Sequence, residues 1–338
     1  MFKIKTPSIN DLKKLEEIIH NKAPVMAIHE LPLQKPIYLV QNLIPHNLRP
    51  FPSIHIAVDE NNILGYVILK SLSKPNNSWQ IDEVFVPDEI RNEGVGEELL
   101  RYVLSVYGGH GIEHFLAEID SQNSPALSLF HQCGFRRYAK VSFYQREIDA
   151  NITETFPAKG EARSLSFAGE RHGMSLHGKD FILRTQTKND LPELEKLEVS
   201  SIPPDLRPAL GKSKEYFKQK KDSIVVIDKS RGLIIGWAYI QKQSDDNYLI
   251  ELLANPGWTH LYEQFLNTII CDYIQIQTNK LTLTVKAVDY LTELTEVLKK
   301  SGFLPVEIKE LLVRTVWQKI KERKAQGAKV GRPSIAPT

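Results

Sequence analysis

The order of apolar and polar positions describes one unit twice. The chain begins Phe2-Lys-Ile-Lys, a short alternating run that reads as a strand, then gives Ser8-x-x-Asp11 ahead of Leu12 and Leu15. A hydroxyl residue followed three positions later by an acid caps a helix start, and leucines three apart share a helical face. Ile54 to Val58, a polar Asp-Glu-Asn-Asn turn and Ile63 to Val67 read as a hairpin. Residues 81 to 86, Ile-Asp-Glu-Val-Phe-Val, read as another strand. It leads into Arg91-Asn92-Glu93-Gly94-Val95-Gly96 and an amphipathic helix whose Leu99, Leu100, Val103 and Leu104 form a core-facing stripe.

The pattern then recurs. Phe181-Ile-Leu-Arg matches the first strand, and Thr187-x-x-Asp190 precedes a second leucine-spaced helix. Ile224 to Ile227, a turn and Leu233 to Ala238 repeat the hairpin, and Tyr248 to Leu253 repeat the later strand. Cys133-Gly134-Phe135 is echoed by Ser301-Gly302-Phe303. So many matches in one order indicate a tandem duplication. The expected organisation is a first domain over 1–148, a Gly/Ser/Ala/Lys/Glu-rich linker over 149–180, a second domain over 181–318 and a basic, disordered tail over 319–338.

Composition agrees with a two-domain protein of the ordinary soluble class: 338 residues, 42% hydrophobic and 25% charged. A net charge of +2 gives no general case for nucleic acid. Cys133 and Cys271 lie far apart in sequence, which argues against a disulfide framework and for a reducing compartment. No apolar run approaches the roughly 18 residues that span a bilayer. The N-terminus has no apolar signal core, so the cytoplasm is the expected location.

A strand entering a glycine turn that opens a helix is a phosphate cradle, because the first helical amides lack internal partners and the helix dipole adds positive charge there. At this point the chain resembles the GNAT (GCN5-related) N-acetyltransferases. Arg91 to Gly96 match their Arg/Gln-x-x-Gly-x-Gly/Ala signature, and Asn123, Ala126 and Gly134-Phe135 match their second segment. The resemblance is close over about residues 54 to 148. It implies an α/β fold: two tandem GNAT-like domains, each a mixed central β-sheet flanked by helices. It also implies acetyl-CoA as acyl donor, without a metal.

By that resemblance Arg91, Asn92, Glu93, Gly94, Val95 and Gly96 grip the pyrophosphate. The backbone of Val84, Phe85 and Val86 binds the acetyl carbonyl and the pantetheine arm, and Asn123 contacts the pantetheine or the turn backbone. Transfer to an amine needs a base, since alkylamines are protonated at neutral pH. Asp82 and Glu83 are the candidates, expected on opposite faces of their strand. The family's usual proton-donating tyrosine is replaced by Phe130. Tyr138 and Tyr144 are the nearest tyrosines able to stand in, with water or unassisted thiolate departure as alternatives. A thiol pKa on the order of 8.5 makes unassisted departure feasible.

In the second copy Ala254-Asn-Pro-Gly-Trp-Thr-His260 replaces the glycine run, and Asn123 has no counterpart near Ala287-Val-Asp289. That copy is expected to keep the fold and lose the CoA grip. His110, His114 and His131 are not spaced as a metal site, and Cys133 reads as buried filler. The Pro-rich segment from Ala23 to Ser53 reads as a lid or groove wall. The implied activity is acetyl transfer to a primary amine, of a small molecule or a protein, by direct attack in a ternary complex. A non-catalytic CoA-binding sensor or an interaction module is the alternative, the latter using the tail with its Lys329-Val-Gly-Arg-Pro333. Membrane and nucleic-acid partners are not expected, and a homodimer is left open.

Overall fold

The computed structural model describes residues 2–21, 52–60, 62–72, 77–149, 173–176, 179–207, 210, 212, 214–274 and 280–316. The Pro-rich segment, except for its last two residues, and the tail at 319–338 lie outside them.

The first copy runs β1 (Lys3–Lys5), α1 (Ile9–Asn21), β2 (Ser53–Asp59), β3 (Asn62–Ser71), β4 (Ser78–Phe85), α2 (Val95–Gly109), β5 (His114–Asp120), α3 (Ser124–Gln132) and β6 (Arg136–Asp149). The second runs β7 (Gly173–Leu176), β8 (Lys179–Thr185), α4 (Leu191–Ser201), α5 (Lys214–Gln219), β9 (Ile224–Asp228), β10 (Leu233–Ser244), β11 (Asn247–Ala254), α6 (Tyr262–Tyr273), β12 (Lys280–Val288), α7 (Thr292–Lys300) and β13 (Leu304–Thr315). Strand β7 lies inside the stretch read as linker and pairs with β8.

The two copies do not carry separate sheets. One 13-stranded sheet runs β1-β2-β3-β4-β5-β13-β6-β12-β11-β10-β9-β8-β7. The last strand of each copy therefore completes the other copy's sheet: β13 pairs with β5, and β6 pairs with β12. The two exchanged strands also pair with each other, antiparallel, at the seam. The exchange is symmetric. The offset that carries Phe135 to Phe303 also carries Arg146 to Arg314, and it maps the Arg136–Val313 rung onto the Leu304–Gln145 rung.

Arg314 lies against the Gly134 corner, and Arg146 donates a hydrogen bond to the Ser301 carbonyl at the Gly302 corner. Gly134 has φ +82°, and a Cβ there would sit 2.8 Å from Arg314 Nη1. The Gly-Phe corner is thus a socket for the other copy's strand, which explains why a side chain there would be strained and crowded.

Each half has its own core. In the first, Leu99, Leu100, Val103, Leu104 and Tyr107 of α2 pack on Val67, Leu69, Trp79 and Ile81, while Leu15 of α1 covers Ile54, Ile56, Tyr66 and Ile68 on the opposite face. In the second, α6 and α7 pack on β8 to β12 through Phe265, Leu266, Ile269, Leu294 and Leu298. The opposite face of that half is closed by α4 and α5 around Phe217 and Trp237. A small seam cluster, Ala139, Val141 and Leu311, joins the halves. Among the described residues no helix is long and apolar enough to cross a membrane.

Candidate active site

The first copy opens where two parallel strands part. β4 and β5 pair from Ser78–His114 to Ile81–Ala117 and no further. Beyond that rung β4 stays with β3, while β5 stays paired along its other edge with β13. This leaves a gap between residues 82–86 and 118–120 in which the inward-facing backbone of β4 is not committed to β5.

A bulge sits at the point of parting. Ile68 pairs with Glu83 and Leu69 with Ile81, so Asp82 has no opposite residue. An extra residue breaks the alternation of a strand. Ile81 and Val84, three apart, consequently pack in the same core, and Phe85 packs with Tyr66 on the other face at 5.1 Å between ring centroids. The expectation that Asp82 and Glu83 point to opposite faces is therefore corrected. Asp82 pairs with Lys70 at 3.2 Å, and Glu83 Oε1 accepts a hydrogen bond from Tyr66 Oη at 2.9 Å. Tyr66 and Lys70 lie four apart on the regular part of β3, hence on one face. Burial, and then the charge of Glu83, hold the Tyr66 phenol above its ordinary pKa, so it stays a donor to the carboxylate.

Past β4 the chain turns through Pro87, a 3-10 turn at Asp88–Ile90, and the run Arg91 to Gly94. Arg91 is tied back by a 2.6 Å ion pair to Asp88 and a 3.4 Å hydrogen bond to the Val86 carbonyl. Asn92 has φ +67° and Gly94 φ +83°. Two left-handed residues so close together reverse the chain and start α2 with Gly94 as N-cap, which makes no side-chain cap hydrogen bond. A Cβ on Gly94 would meet nothing within 4 Å, so the helix start faces open space. Glu93 is exposed, Val95 is buried and Gly96 is half-buried. Glu97 turns down the helix to Arg101, with Oε1 2.6 Å from Nη2, and so removes its charge from the turn. Such a helix end, with unpartnered amides and a positive dipole, fits an anionic phosphate group.

Asn123 caps α3, its Oδ1 accepting from Ala126 N–H at 3.1 Å. The Asn-x-x-Ala spacing is thus a helix cap in its own right. Phe130 is 5% exposed and packs edge-on against Phe135 at 4.9 Å. Tyr144 is placed elsewhere than the sequence neighbourhood suggests. Because β6 crosses into the other half, Tyr144 lies opposite Val285 in the second core, 5% exposed. It is not brought to Asp82 and Glu83. Tyr138 lies at the seam beside Tyr290. His110, His114 and His131 bond separately to Val106, Thr315 and Phe135, and Cys133 is buried. Among the described residues no group of His, Cys, Asp and Glu could hold a metal ion.

Residues 21–135 match the Acetyltransferase (GNAT) family. The matched segment lies within the first copy, and that segment carries the family likeness. The GNAT fold extends beyond that segment. A tandem GNAT protein from the clavulanic acid biosynthesis pathway aligns with a TM-score of 0.52 at 10% identity, over 95% of this chain and 100% of that one. A GCN5-related N-acetyltransferase from Sphaerobacter thermophilus aligns with a TM-score of 0.52 at 13% identity, over 94% and 97%. A glucosamine N-acetyltransferase region of a fungal multi-domain GH3 β-N-acetylglucosaminidase aligns at 0.58 and 12% identity, over 93% of this chain and 38% of that one. At such identities the likeness shows the fold. No curated protein sequence matches the chain.

In the second GNAT-fold copy the corresponding groups are taken by the protein's own side chains. Trp237 pairs with Leu253 as Tyr66 pairs with Phe85, so Ala254 corresponds to Val86 and Glu251 to Glu83. The β10–β11 register has no shift here, so the bulge is missing. Ala254 N–H donates to Tyr262 Oη at 3.2 Å. Glu251 accepts hydrogen bonds from Tyr216 Oη and Lys220 Nζ, with Lys212 Nζ at 3.5 Å. The Lys220 ammonium lies 4.1 Å and 4.6 Å from the ring centroids of Tyr239 and Tyr216. In place of the glycine turn, Asn255 Oδ1 accepts from Gly257 N–H at 3.0 Å and a 3-10 turn carries Trp258.

Sequence reasoning missed Tyr66 and Lys70 as partners of the two carboxylates, and Tyr262, Lys212 and Lys220 as occupants of the second copy. The Gly65-Tyr66 and Gly236-Trp237 pairs, matched in the repeat, were a readable signal for the first. The lysines carried none.

Proposed function

We propose that the first copy is an acetyl-CoA-dependent N-acetyltransferase and that the second binds no CoA. The GNAT family likeness supports acetyl transfer in general terms. The observation that carries the finer reading is the meeting of three features at one point: parted parallel strands, a bulge that puts Asp82 and Glu83 on one face, and an open left-handed turn at a helix start. The turn of Arg91 to Gly96 would hold the pyrophosphate, and the backbone of Val84 to Val86, beyond the last β4–β5 rung, would hold the pantetheine and the thioester carbonyl. Acetyl-CoA, when bound, supplies an activated acyl carbon.

In this reading the acceptor approaches from the Asp82–Glu83 face as an ammonium ion. Glu83, backed by the Tyr66 hydroxyl, takes its proton directly or through water, and Asp82 sets the local charge with Lys70. The neutral nitrogen then attacks the thioester carbon, the C–S bond breaks, and the nitrogen gives its second proton to water or to the departing thiolate. Fixed N–H groups stabilise the oxyanion. Phe130 offers no proton, so the thiolate leaves unassisted or is protonated by water, as its pKa on the order of 8.5 allows.

The second reading, a CoA-binding sensor without turnover, is favoured by Phe130 alone. A panel of amines incubated with radiolabelled acetyl-CoA separates the two. The enzyme reading expects labelled amine from at least one acceptor, abolished by Gly94→Glu. Tight CoA binding with no product from any amine favours the sensor.

A further inference from the structure

The parting points of the two copies face one shared cavity. Its volume is about 690 Å3, within the range of small-molecule sites. The first half contributes Lys70, Gln80 and Glu118, and the second contributes Lys212, Glu251 and Lys286. Lys70 is the partner of Asp82, and Glu118 follows the last β4–β5 rung, so this wall is the edge of the proposed active site. Glu251 and Lys286 are the last rung of the β11–β12 ladder, the matching point of the second copy. Lys286 also reaches across to Glu118 at 3.4 Å.

The charges on this wall balance. Four lysines (70, 212, 220 and 286) meet four glutamates (118, 198, 215 and 251). Several pairs are loose: Lys286–Glu118 at 3.4 Å, Lys212–Glu251 at 3.5 Å and Lys212–Glu198 at 3.9 Å, with each lysine about a third exposed. A lone cation or anion inserted into such a network would leave one partner of a half-buried pair uncovered, which is costly. A molecule carrying both charges replaces each opened pair with two new ones and leaves none unmatched.

We propose that this cavity is the acceptor chamber and that it takes a small zwitterion, an amine that also carries a carboxylate or similar anion. The amine end lies towards Glu118 and the Asp82–Lys70 pair, and the anion towards Lys286 and Lys212 of the second copy. The inactive copy thereby supplies substrate selection to the active one. The assignment of the zwitterion as acceptor rests on the acetyltransferase reading; the binding site itself does not.

The test is calorimetric titration of the full chain with three probes of equal chain length: aminocaproate, hexylamine and caproate. Aminocaproate is expected to bind at least about tenfold more tightly than either singly charged analogue. Lys286→Gln should remove its advantage over hexylamine, and Glu118→Gln its advantage over caproate, with both variants keeping the wild-type circular dichroism spectrum. Equal binding of all three probes, binding of hexylamine or caproate alone, or no binding overturns the zwitterion site. Acetyl-CoA is titrated alongside. Aminocaproate binding without acetyl-CoA binding would keep the cavity and sink the acetyltransferase reading, whereas the reverse would sink only the cavity.

Discussion

β4 in the first copy and β11 in the second each run parallel to one neighbour and antiparallel to another, and each carries a glutamate opposite the residue three beyond a glycine. At Glu83 the strand bulges, the carboxylate meets a tyrosine hydroxyl, and the chain leaves through an open glycine turn. At Glu251 the strand is regular, two lysines and a tyrosine surround the carboxylate, and the exit is closed by Asn255, Trp258 and Tyr262. The proposed CoA site and its counterpart differ here by one extra residue and by which side chains take the corresponding groups. In the second copy the protein's own residues take the groups that a ligand would take in the proposed site.

The two glutamates offer the largest contrast. Glu83→Gln is expected to lower kcat about 100-fold, as loss of a general base does. Glu251→Gln should lower kcat far less than that but cost roughly 3 kcal/mol of stability, because it removes the carboxylate that Lys220 and Tyr216 bond. Urea unfolding with a product assay on both variants checks this. The reverse pattern would mean the roles are exchanged.

The same cluster sets an acid limit. Burial alone would raise the Glu251 carboxyl, yet Lys212 and Lys220 hold it down to about 2, against an ordinary value of 4.5. Its folded value is depressed, so its stabilisation is complete above the ordinary value and is lost as pH falls from there towards 2. Stability measured between pH 5 and pH 2 should therefore fall less steeply in Glu251→Gln than in the wild type.

How much of this is legible in the sequence depends on how locally it is encoded. Hairpins, capped helices and the glycine turn are set by neighbouring residues, and they appear where the pattern puts them. The duplicated fold was readable for the same reason. The destination of β6 was not. Tyr144 looks like a first-copy residue because it follows Phe135 closely, but its strand pairs with β12 of the other half. The bulge at Asp82 is equally invisible, since it exists only as a mismatch between the lengths of β3 and β4 across a rung. Likewise the plug at Ala254 needs Tyr262 to fold back onto it.

The exchange can be probed at its two corners. Gly134→Ala meets both a left-handed φ and Arg314 at 2.8 Å, while Gly302→Ala meets the same kind of φ but finds Arg146 only at 3.8 Å. The first should cost about 2 kcal/mol and the second about 1 kcal/mol in thermal or urea unfolding. Equal costs would say the arginine contact is irrelevant. The smallest effect is expected for Tyr262→Phe. It leaves the buried Ala254 N–H unpaired at a cost of about 1 kcal/mol, without creating a CoA site in the second copy.

Each chain is expected to carry one live cofactor site, located in the first copy. Titration of the purified full chain with acetyl-CoA by calorimetry counts the sites directly. One equivalent is expected for the wild type and none for Gly94→Glu. Two equivalents, or one that survives Gly94→Glu, would mean that the second copy binds the cofactor and that the first is not its sole site.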